Sequence, residues 1–365
     1  MSVVTQVHRC GEWPKVAIIV LNWNGWRDTI ECLESMQQIT YPNYTIIIVD
    51  NGSMDDSVKR IKSWAVGDLS AESDSLSYDA LSKPVYWMEH DLSADEGGGE
   101  TEQEEYIASL PSSRRLVIIQ NRENLGFAAG NNVGILYALK RDYAYIGLLN
   151  NDTVVEQSFV TKIVETFKNN PEWMAIGPKI LYKDNPKVVW HAGGRLKLRH
   201  AMPIVMGTGQ LDDKSFIGEH ETELVCGCAL FARRSLFGRI GLLDEDFFFG
   251  HEDFAYSIVA KKLGLKFGVN LDAIVLHKCG GSLCKGDPIQ AYFSNKNRLL
   301  VLKKYGSFSE QIVGFSWYSC SRLIKFPALI ATGQATMVHA EIRAICDFLA
   351  GRYGDFDRRR ANGRV

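Results

Sequence analysis

Apolar residues run through the first half of the chain in short unbroken stretches, each closed by a polar or glycine-bearing turn. The first is Val16-Ala17-Ile18-Ile19-Val20-Leu21, opened by Lys15 and ended by Asn22-Trp23-Asn24-Gly25. β-Branched residues without alternation are the pattern of a strand buried on both faces. Over 28–38 the apolar positions Ile30, Leu33 and Met36 recur at helical spacing, and Tyr41-Pro42-Asn43 breaks the helix. Residues 45–50 are a second buried strand ending in Asp50 and the turn Asn51-Gly52-Ser53, and Asp55 or Asp56 can cap a helix reaching about Trp64. Residues 115–120 form a third strand and 131–141 a helix. Tyr145-Ile146-Gly147-Leu148-Leu149 then runs into a polar tip, Asn150-Asn151-Asp152, before the chain turns apolar again at Thr153-Val154-Val155. A helix follows over 160–167. Alternating strands and helices predict a parallel sheet with right-handed crossovers, and such sheets bind ligands beyond the carboxyl ends of their strands.

Two regions depart from this rhythm. Residues 65–113 are crowded with acids and include Gly97-Gly98-Gly99, the composition of a partly disordered surface insertion. Pro84-Val85-Tyr86-Trp87-Met88 stands out within it as a short strand. The second half is less regular. It offers strands at 188–194, 225–234 and 273–277, with a helix at 254–263. From about Ala291 the chain reads as helices, apolar over 311–338 but for Arg322 and Lys325, with a basic tail at Arg358-Arg359-Arg360.

Composition narrows the classes. A net charge of −2 over 365 residues gives no electrostatic case for nucleic acid, and 46% hydrophobic residues suffice for a large core. Eight cysteines at irregular spacing point to a reducing, cytoplasmic setting rather than a disulfide framework. No secretory signal is expected from the first 14 residues, and no transmembrane helix from any apolar run.

The chemistry-bearing residues collect at strand ends: Asp50, Asp152, the pair Glu252-Asp253 and His277. With the glycine-asparagine loop at 121–132 they suggest a metal and nucleotide-diphosphate site at the carboxyl edge of the sheet. The loop glycines Gly126 and Gly130 do not follow the dinucleotide fingerprint, though they let backbone pass close to a ligand. Cys226-x-Cys228 and Cys279-x4-Cys284 lack the two-residue spacing of a zinc knuckle.

Four motifs occur in order: the first two strands through Asp50-Asn51-Gly52-Ser53, then Asn124-Leu125-Gly126-Phe127-Ala128-Ala129-Gly130-Asn131, Leu149-Asn150-Asn151-Asp152-Thr153, and Phe249-Gly250-His251-Glu252-Asp253. Together they resemble family 2 glycosyltransferases of the GT-A fold, especially the rhamnosyltransferase-like branch, over roughly 14–305 apart from the insertion. The resemblance implies an α/β fold with a mostly parallel central sheet and flanking helices. Residues 1–14 would be a tail, 15–290 the GT-A domain and 291–365 a helical extension. It further implies inverting transfer of a sugar, rhamnose by branch, from a UDP- or dTDP-linked donor with Mg²⁺ or Mn²⁺. Asp152 would be the main metal ligand, His277 the second, with Asn150 in the first position of the family's Asp-x-Asp pattern. A neutral amide there weakens the site and leaves more of the coordination to the phosphates. Asp253 would be the base that takes the acceptor proton, supported by Glu252. Asp50 would read the nucleotide base beside Leu21 and Asn22, with Asn124, Gly126, Asn131 and Asn151 on the donor side. Trp190, His191, Gly193, Gly194 and Gly227 would shape the sugar or acceptor side.

Two other readings stay open. A non-catalytic sugar-nucleotide-binding protein is favoured by Asn150 and opposed by intact Asp152, Glu252, Asp253 and His277. A nucleotidyltransferase would carry a basic glycine-rich loop where this chain has Asn22-Trp23-Asn24-Gly25. The apolar C-terminal stretch is either core helix or an interfacial segment. The second choice implies peripheral contact with an anionic membrane, a lipid-linked or glycan acceptor, and a place at the inner face of the cell membrane.

Overall fold

The computed structural model describes residues 13–71, 83–90, 102–278 and 287–354. The chain opens with β1 (Val16–Asn22), α1 (Trp26–Gln37), β2 (Tyr44–Asp50) and α2 (Ser57–Val66), then β3 (Tyr86–His90), α3 (Glu102–Ser109), β4 (Arg115–Gln120) and α4 (Gly126–Leu139). β5 (Tyr145–Asn150), β6 (Thr153–Val155), α5 (Phe159–Asn169), β7 (Trp173–Tyr182), β8 (Asn185–His191), β9 (Gly194–Lys197), β10 (Met202–Val205), β11 (Glu219–Thr222) and β12 (Ala229–Arg233) follow. The chain closes with α6 (Arg234–Ile240), α7 (Glu252–Lys262), β13 (Lys266–His277), α8 (Pro288–Tyr305), α9 (Phe308–Ala331) and α10 (Ala335–Leu349).

One large sheet runs β11-β13-β7-β12-β5-β1-β2-β4-β3, with β6 added on β13 and β8 on β7. β1 pairs parallel with both β2 and β5, which places the reversal of strand order at its carboxyl end. Asn22, Asp50 and Asn150 are therefore neighbours along one edge: Asn22 pairs with Asp50, and Leu21 with Asn150. All seven residues of β2 are buried, as an unbroken apolar run requires. One face is covered by Ile30, Leu33, Ile61, Trp64, Phe159 and Ile163, the other by Ile135, Ala138, Leu236 and Tyr256. Each such side chain contributes about 1.5–3 kcal/mol by leaving water.

Several boundaries differ from the sequence reading. α4 starts at Gly126 rather than 131, because the small residues after Asn124 let its first turns press on β1. A Cβ on Gly130 would lie 2.7 Å from Leu21 Cδ1, and one on Gly134 2.7 Å from Ile19 Cγ2. β12 begins only at Ala229, since 226–228 form a turn whose Ala229 N–H returns to the Cys226 carbonyl. Glu252 and Asp253 lie in the first turn of α7 instead of before it, entered through His251 at φ 73°. β13 is 12 residues long; its early part was hidden by Gly268, Asn270 and Asp272 and by a bulge at 270–274.

The insertion is partly built into the fold. β3 extends the sheet parallel to β4, two residues further on than the apolar run suggested, and α3 follows. Glu104 is buried and accepts from Arg141 Nε at 2.9 Å, so this acid is not part of a solvated loop. The expectations for 72–82, for the glycine run and acids of 91–101, for Gly280-Gly281-Ser282, Cys279 and Cys284, and for the arginine tail fall outside the described residues.

Candidate active site

β5 ends with its backbone fixed on both sides. Asn150 N–H donates to the Cys228 carbonyl at 2.8 Å, and its carbonyl accepts from Thr153 Oγ1 at 2.7 Å. Asp152 occupies the tight turn before β6, which pairs with the end of β13 so that Thr153 faces His277. Asp152 Oδ1 and His277 Nε2 lie 3.1 Å apart, and Trp190 packs edge-on against the His277 ring at 4.6 Å. The side chains are 12% and 8% exposed, so both groups face a shielded but open edge. A carboxylate oxygen and a ring nitrogen at this separation fit two adjacent ligands of a small octahedral cation, which sit about 3 Å apart when each is ~2.1 Å from the ion. Among the described residues no three or more His, Cys, Asp or Glu are arranged to hold a metal ion, so a cation here would draw its other ligands from phosphates and water. Cys226 and Cys228 form no disulfide in this arrangement.

The donor-side residues are mostly locked to one another. Asn22 is fully buried; its Nδ2 donates to Asp50 Oδ1 at 2.7 Å and to Ser53 Oγ at 3.1 Å, and its Oδ1 accepts from Thr29 Oγ1 at 2.8 Å. Asp50 Oδ2 accepts from Ser53 N–H at 3.0 Å, leaving a fixed carboxylate only 4% exposed. Asn151 Nδ2 donates to Thr29 Oγ1 at 3.0 Å, and Asn131 Nδ2 to the Phe127 carbonyl at 2.9 Å. Asn51 joins the loops. Its Nδ2 donates to Asn124 Oδ1 and the Gly126 carbonyl, while its Oδ1 accepts from Asn121 Nδ2 and Leu125 N–H. Gly126, at φ 84°, accommodates only glycine without strain, since a Cβ would lie 2.5 Å from the Phe248 carbonyl.

That carbonyl also accepts from Phe127 N–H at 2.6 Å, tying the donor loop to the segment that carries the acidic pair. Asp253 Oδ2 accepts from Gly227 N–H at 2.9 Å and Oδ1 from Phe254 N–H at 2.7 Å. Glu252 Oε2 is buried without a hydrogen-bond partner. Burial, then the neighbouring Asp253 charge, pushes Glu252 up to about 8. Burial also raises Asp253, but the Gly227 and Phe254 N–H groups pull it back toward the ionised form. Two adjacent acids with environments this different divide into one that keeps its proton and one that accepts one. The two clusters meet through two residues: Cys228 accepts from Asn150, and Gly227 donates to Asp253.

The residues expected on the sugar side separate. Trp190 reaches His277, as above. His191 is buried, its Nδ1 accepting from Gly193 N–H at 3.1 Å, and burial lowers it to about 4, so it is neutral. Gly193 and Gly194 are accounted for by packing: a Cβ would lie 2.8 Å from Thr222 Oγ1 and 2.7 Å from the Ile204 carbonyl. Gly227 has room for a Cβ, with Asp253 Cβ and Glu252 Oε1 at 3.5 Å.

Sequence reasoning assigned no site role to Thr29, Asn51, Phe248, Lys278 or Asn297. Lys278 follows His277 and donates to Asp28 at 2.7 Å. Asn297 on α8 donates to the Phe249 and Gly250 carbonyls at 2.9 and 2.6 Å, bracing the acidic segment. Asn51 and Asn297 had a weak signal, a polar residue at a strand end or amid apolar helix positions. The contacts of Phe248 leave no local trace.

Similarity to the "Galactofuranosyltransferase GlfT1" of Mycobacterium tuberculosis is 24% identity over 268 residues, covering 66% of this chain and 83% of the relative. Similarity to the "dTDP-rhamnosyl transferase RfbF" of Shigella flexneri is 21% over 194 residues, covering 50% and 61%. The fold matches the mannosyltransferase PcManGT from Pyrobaculum calidifontis, solved with GDP-Man and Mn²⁺, with a TM-score of 0.51 at 14% identity over 94% of this chain and 89% of that one. The sequence model of Glycosyl transferase family 2 matches residues 17–72 and 98–241. That match spans more than half of the chain, and with the sheet described above it makes the protein a glycosyltransferase of family 2, with a GT-A-type fold.

Proposed function

We propose that the protein catalyses inverting, cation-assisted transfer of a sugar from a UDP- or dTDP-linked donor to a hydroxyl of a glycan or lipid-linked acceptor, working at the inner face of the cell membrane. The observation that carries this reading is the junction at Gly227-Cys228, which holds the Asp152–His277 pair and the Glu252–Asp253 pair against each other. Asp152 and His277 would hold Mg²⁺ or Mn²⁺. When bound, the cation offsets the charge that develops on the departing diphosphate.

The acceptor oxygen attacks the anomeric carbon from the face opposite the diphosphate. The bond from that carbon to the phosphate oxygen breaks, and its electron pair leaves with the diphosphate. Asp253 takes the hydroxyl proton, a step worth about 10²–10⁴ in rate. Glu252, kept protonated by burial, leaves Asp253 as the charged member of the pair. Asn22, Asp50 and Asn51 hold the loops against which the nucleoside rests. The two named relatives support furanose and deoxyhexose donors, galactofuranose and rhamnose, as the first to try.

The test is a panel of nucleotide sugars titrated with Mn²⁺, Mg²⁺ or EDTA, scored for binding and slow donor hydrolysis. Binding of one donor that needs the cation, with measurable turnover, supports the proposal. Binding that persists in EDTA without turnover, even with acceptor lipid added, favours a sugar-nucleotide-binding protein instead.

A further inference from the structure

The helices after β13 make two kinds of contact. α8 is anchored: Asn297 braces the carbonyls ahead of His251, and Leu299, Leu300, Val301 and Leu302 are buried with Phe247 and Phe254. α9 touches this body through few residues, among them Gly314 and Tyr318, whose hydroxyl donates to Asn295 at 3.0 Å. Most of the rest of α9 faces outward, and it is apolar. Leu323 and Ile324 are 77% and 79% exposed, Phe308 81% and Ile330 59%, with Ile312, Val313 and Trp317 along the same helix. At the exposed positions of α9, all of them described, Lys325 alone carries a full charge. From Phe326 to Val338, through the turn into α10, thirteen consecutive residues carry no ionisable group.

Charge is divided along the chain in the same way. Residues 288–365 hold 12 Lys and Arg against 5 Asp and Glu, a net of +7. Residues 1–287 hold 29 against 38, a net of −9. Within the helical hairpin Arg322 and Lys325 share the fully buried Glu341, so even that acid leaves the cluster net positive.

We infer that the outer face of α9, with the uncharged tip at 326–338, docks this enzyme on the surface of an anionic bilayer. The charge division selects the bilayer and sets the orientation. Among the described residues, 288–354 hold 8 Lys and Arg against 3 Asp and Glu (+5) and those before them 27 against 30 (−3). Anionic headgroups attract the first, whereas a symmetric pairing of two copies through α9 would set +5 against +5. No described helix is long and apolar enough to cross a membrane, so the contact is interfacial. α9 lies along the interface for up to ~36 Å. Because α8 links this surface to the Gly250 carbonyl, docking brings the acidic pair to the headgroup level, where a lipid-linked acceptor would present its hydroxyl.

The inference extends the lipid-acceptor part of the proposed function, but its test needs neither donor nor acceptor, so it can fail alone. The full chain is sedimented with vesicles of phosphatidylcholine, or of phosphatidylcholine with 30% phosphatidylglycerol, at low and high salt. The expected result is at least tenfold tighter binding to the anionic vesicles, weakened by salt. L323E/I324E, changed at exposed positions that leave the fold intact, is expected to lose at least tenfold on the same vesicles while remaining folded by circular dichroism. Equal binding of both proteins, or no binding by the unmodified chain, would overturn the inference. So would a concentration-dependent dimer that L323E/I324E dissociates, which would assign the face to a second copy.

Discussion

Asp152 and Asp253 lie only a few hydrogen bonds apart, linked through Asn150, Cys228 and Gly227. Their surroundings differ in kind. Asp152 meets a ring nitrogen of His277 and lies close enough to Lys278 to act on its charge. Asp253 meets two backbone N–H groups and a second acid, Glu252, in a buried setting that disfavours charge on both. The first arrangement sets a carboxylate oxygen beside a ring nitrogen, placed to share a cation. The second makes a carboxylate hungry for a proton. The difference comes from position rather than residue type: a strand-end turn open at the sheet edge against the first turn of a packed helix.

Replacing Asp253 by Asn separates the two most sharply. The amide keeps the shape but cannot accept the proton, so turnover should fall by about 10²–10⁴ while donor binding survives. Both are read from one titration and one rate measurement. Asp152→Ala should act on the other side of the comparison. Cation-dependent donor binding is lost, and turnover falls by about 10²–10³, the scale for losing one preorganised charge-stabilising group. Binding equal to that of the unmodified protein in EDTA, and no longer improved by Mn²⁺, is the expected signature.

Glu252→Gln has a smaller effect with a pH signature. Glu252 is raised in the folded protein, so its contribution to stability is complete below about 4.5, the unfolded value, and is lost as pH climbs toward about 8. Thermal melts of the unmodified protein should therefore fall across that window more steeply than those of Glu252→Gln. Unchanged slopes would mean that Glu252 is ionised in the fold. The smallest change expected is from Asn297→Ala, which removes two donors to the Phe249 and Gly250 carbonyls. It should lower stability by about 1–3 kcal/mol and slow turnover without altering cation-dependent binding.

The first half of the fold was legible because its strands are buried on both faces and announce themselves as unbroken β-branched runs. β1, β2, β4 and β5 were found to within a residue or two, and their carboxyl ends with them. What escaped was decided by distant contacts. The small residues at 126–130 read as a loop until Leu21 and Asn51 are seen to require them close. Val225-Cys226-Gly227-Cys228 read as strand, yet its N–H groups serve a turn and Asp253. β13 carries Asn270, whose Oδ1 accepts from Asp272 and Ala273 N–H groups to stabilise a bulge that interrupts the apolar pattern. In the candidate site Asp152, His277, Glu252 and Asp253 were all visible as acids or a histidine at element ends. Their grouping into two pairs came from the resemblance and not from the pattern of the chain, since the contact of Asp152 with His277 depends on β6 lying against β13. Gly193 and Gly194, placed on the sugar or acceptor side by the resemblance, also have a packing reason, since a Cβ would press on Thr222 and the Ile204 carbonyl.

The most direct test of the division between the two acidic sites is the single-turnover rate of Asp253→Asn at saturating donor and cation, with donor affinity measured on the same sample. The expected result is an affinity within about twofold of the unmodified protein and a rate at least ~100-fold lower. A rate close to the unmodified one, with affinity unchanged, would contradict it and remove Asp253 from the role of base.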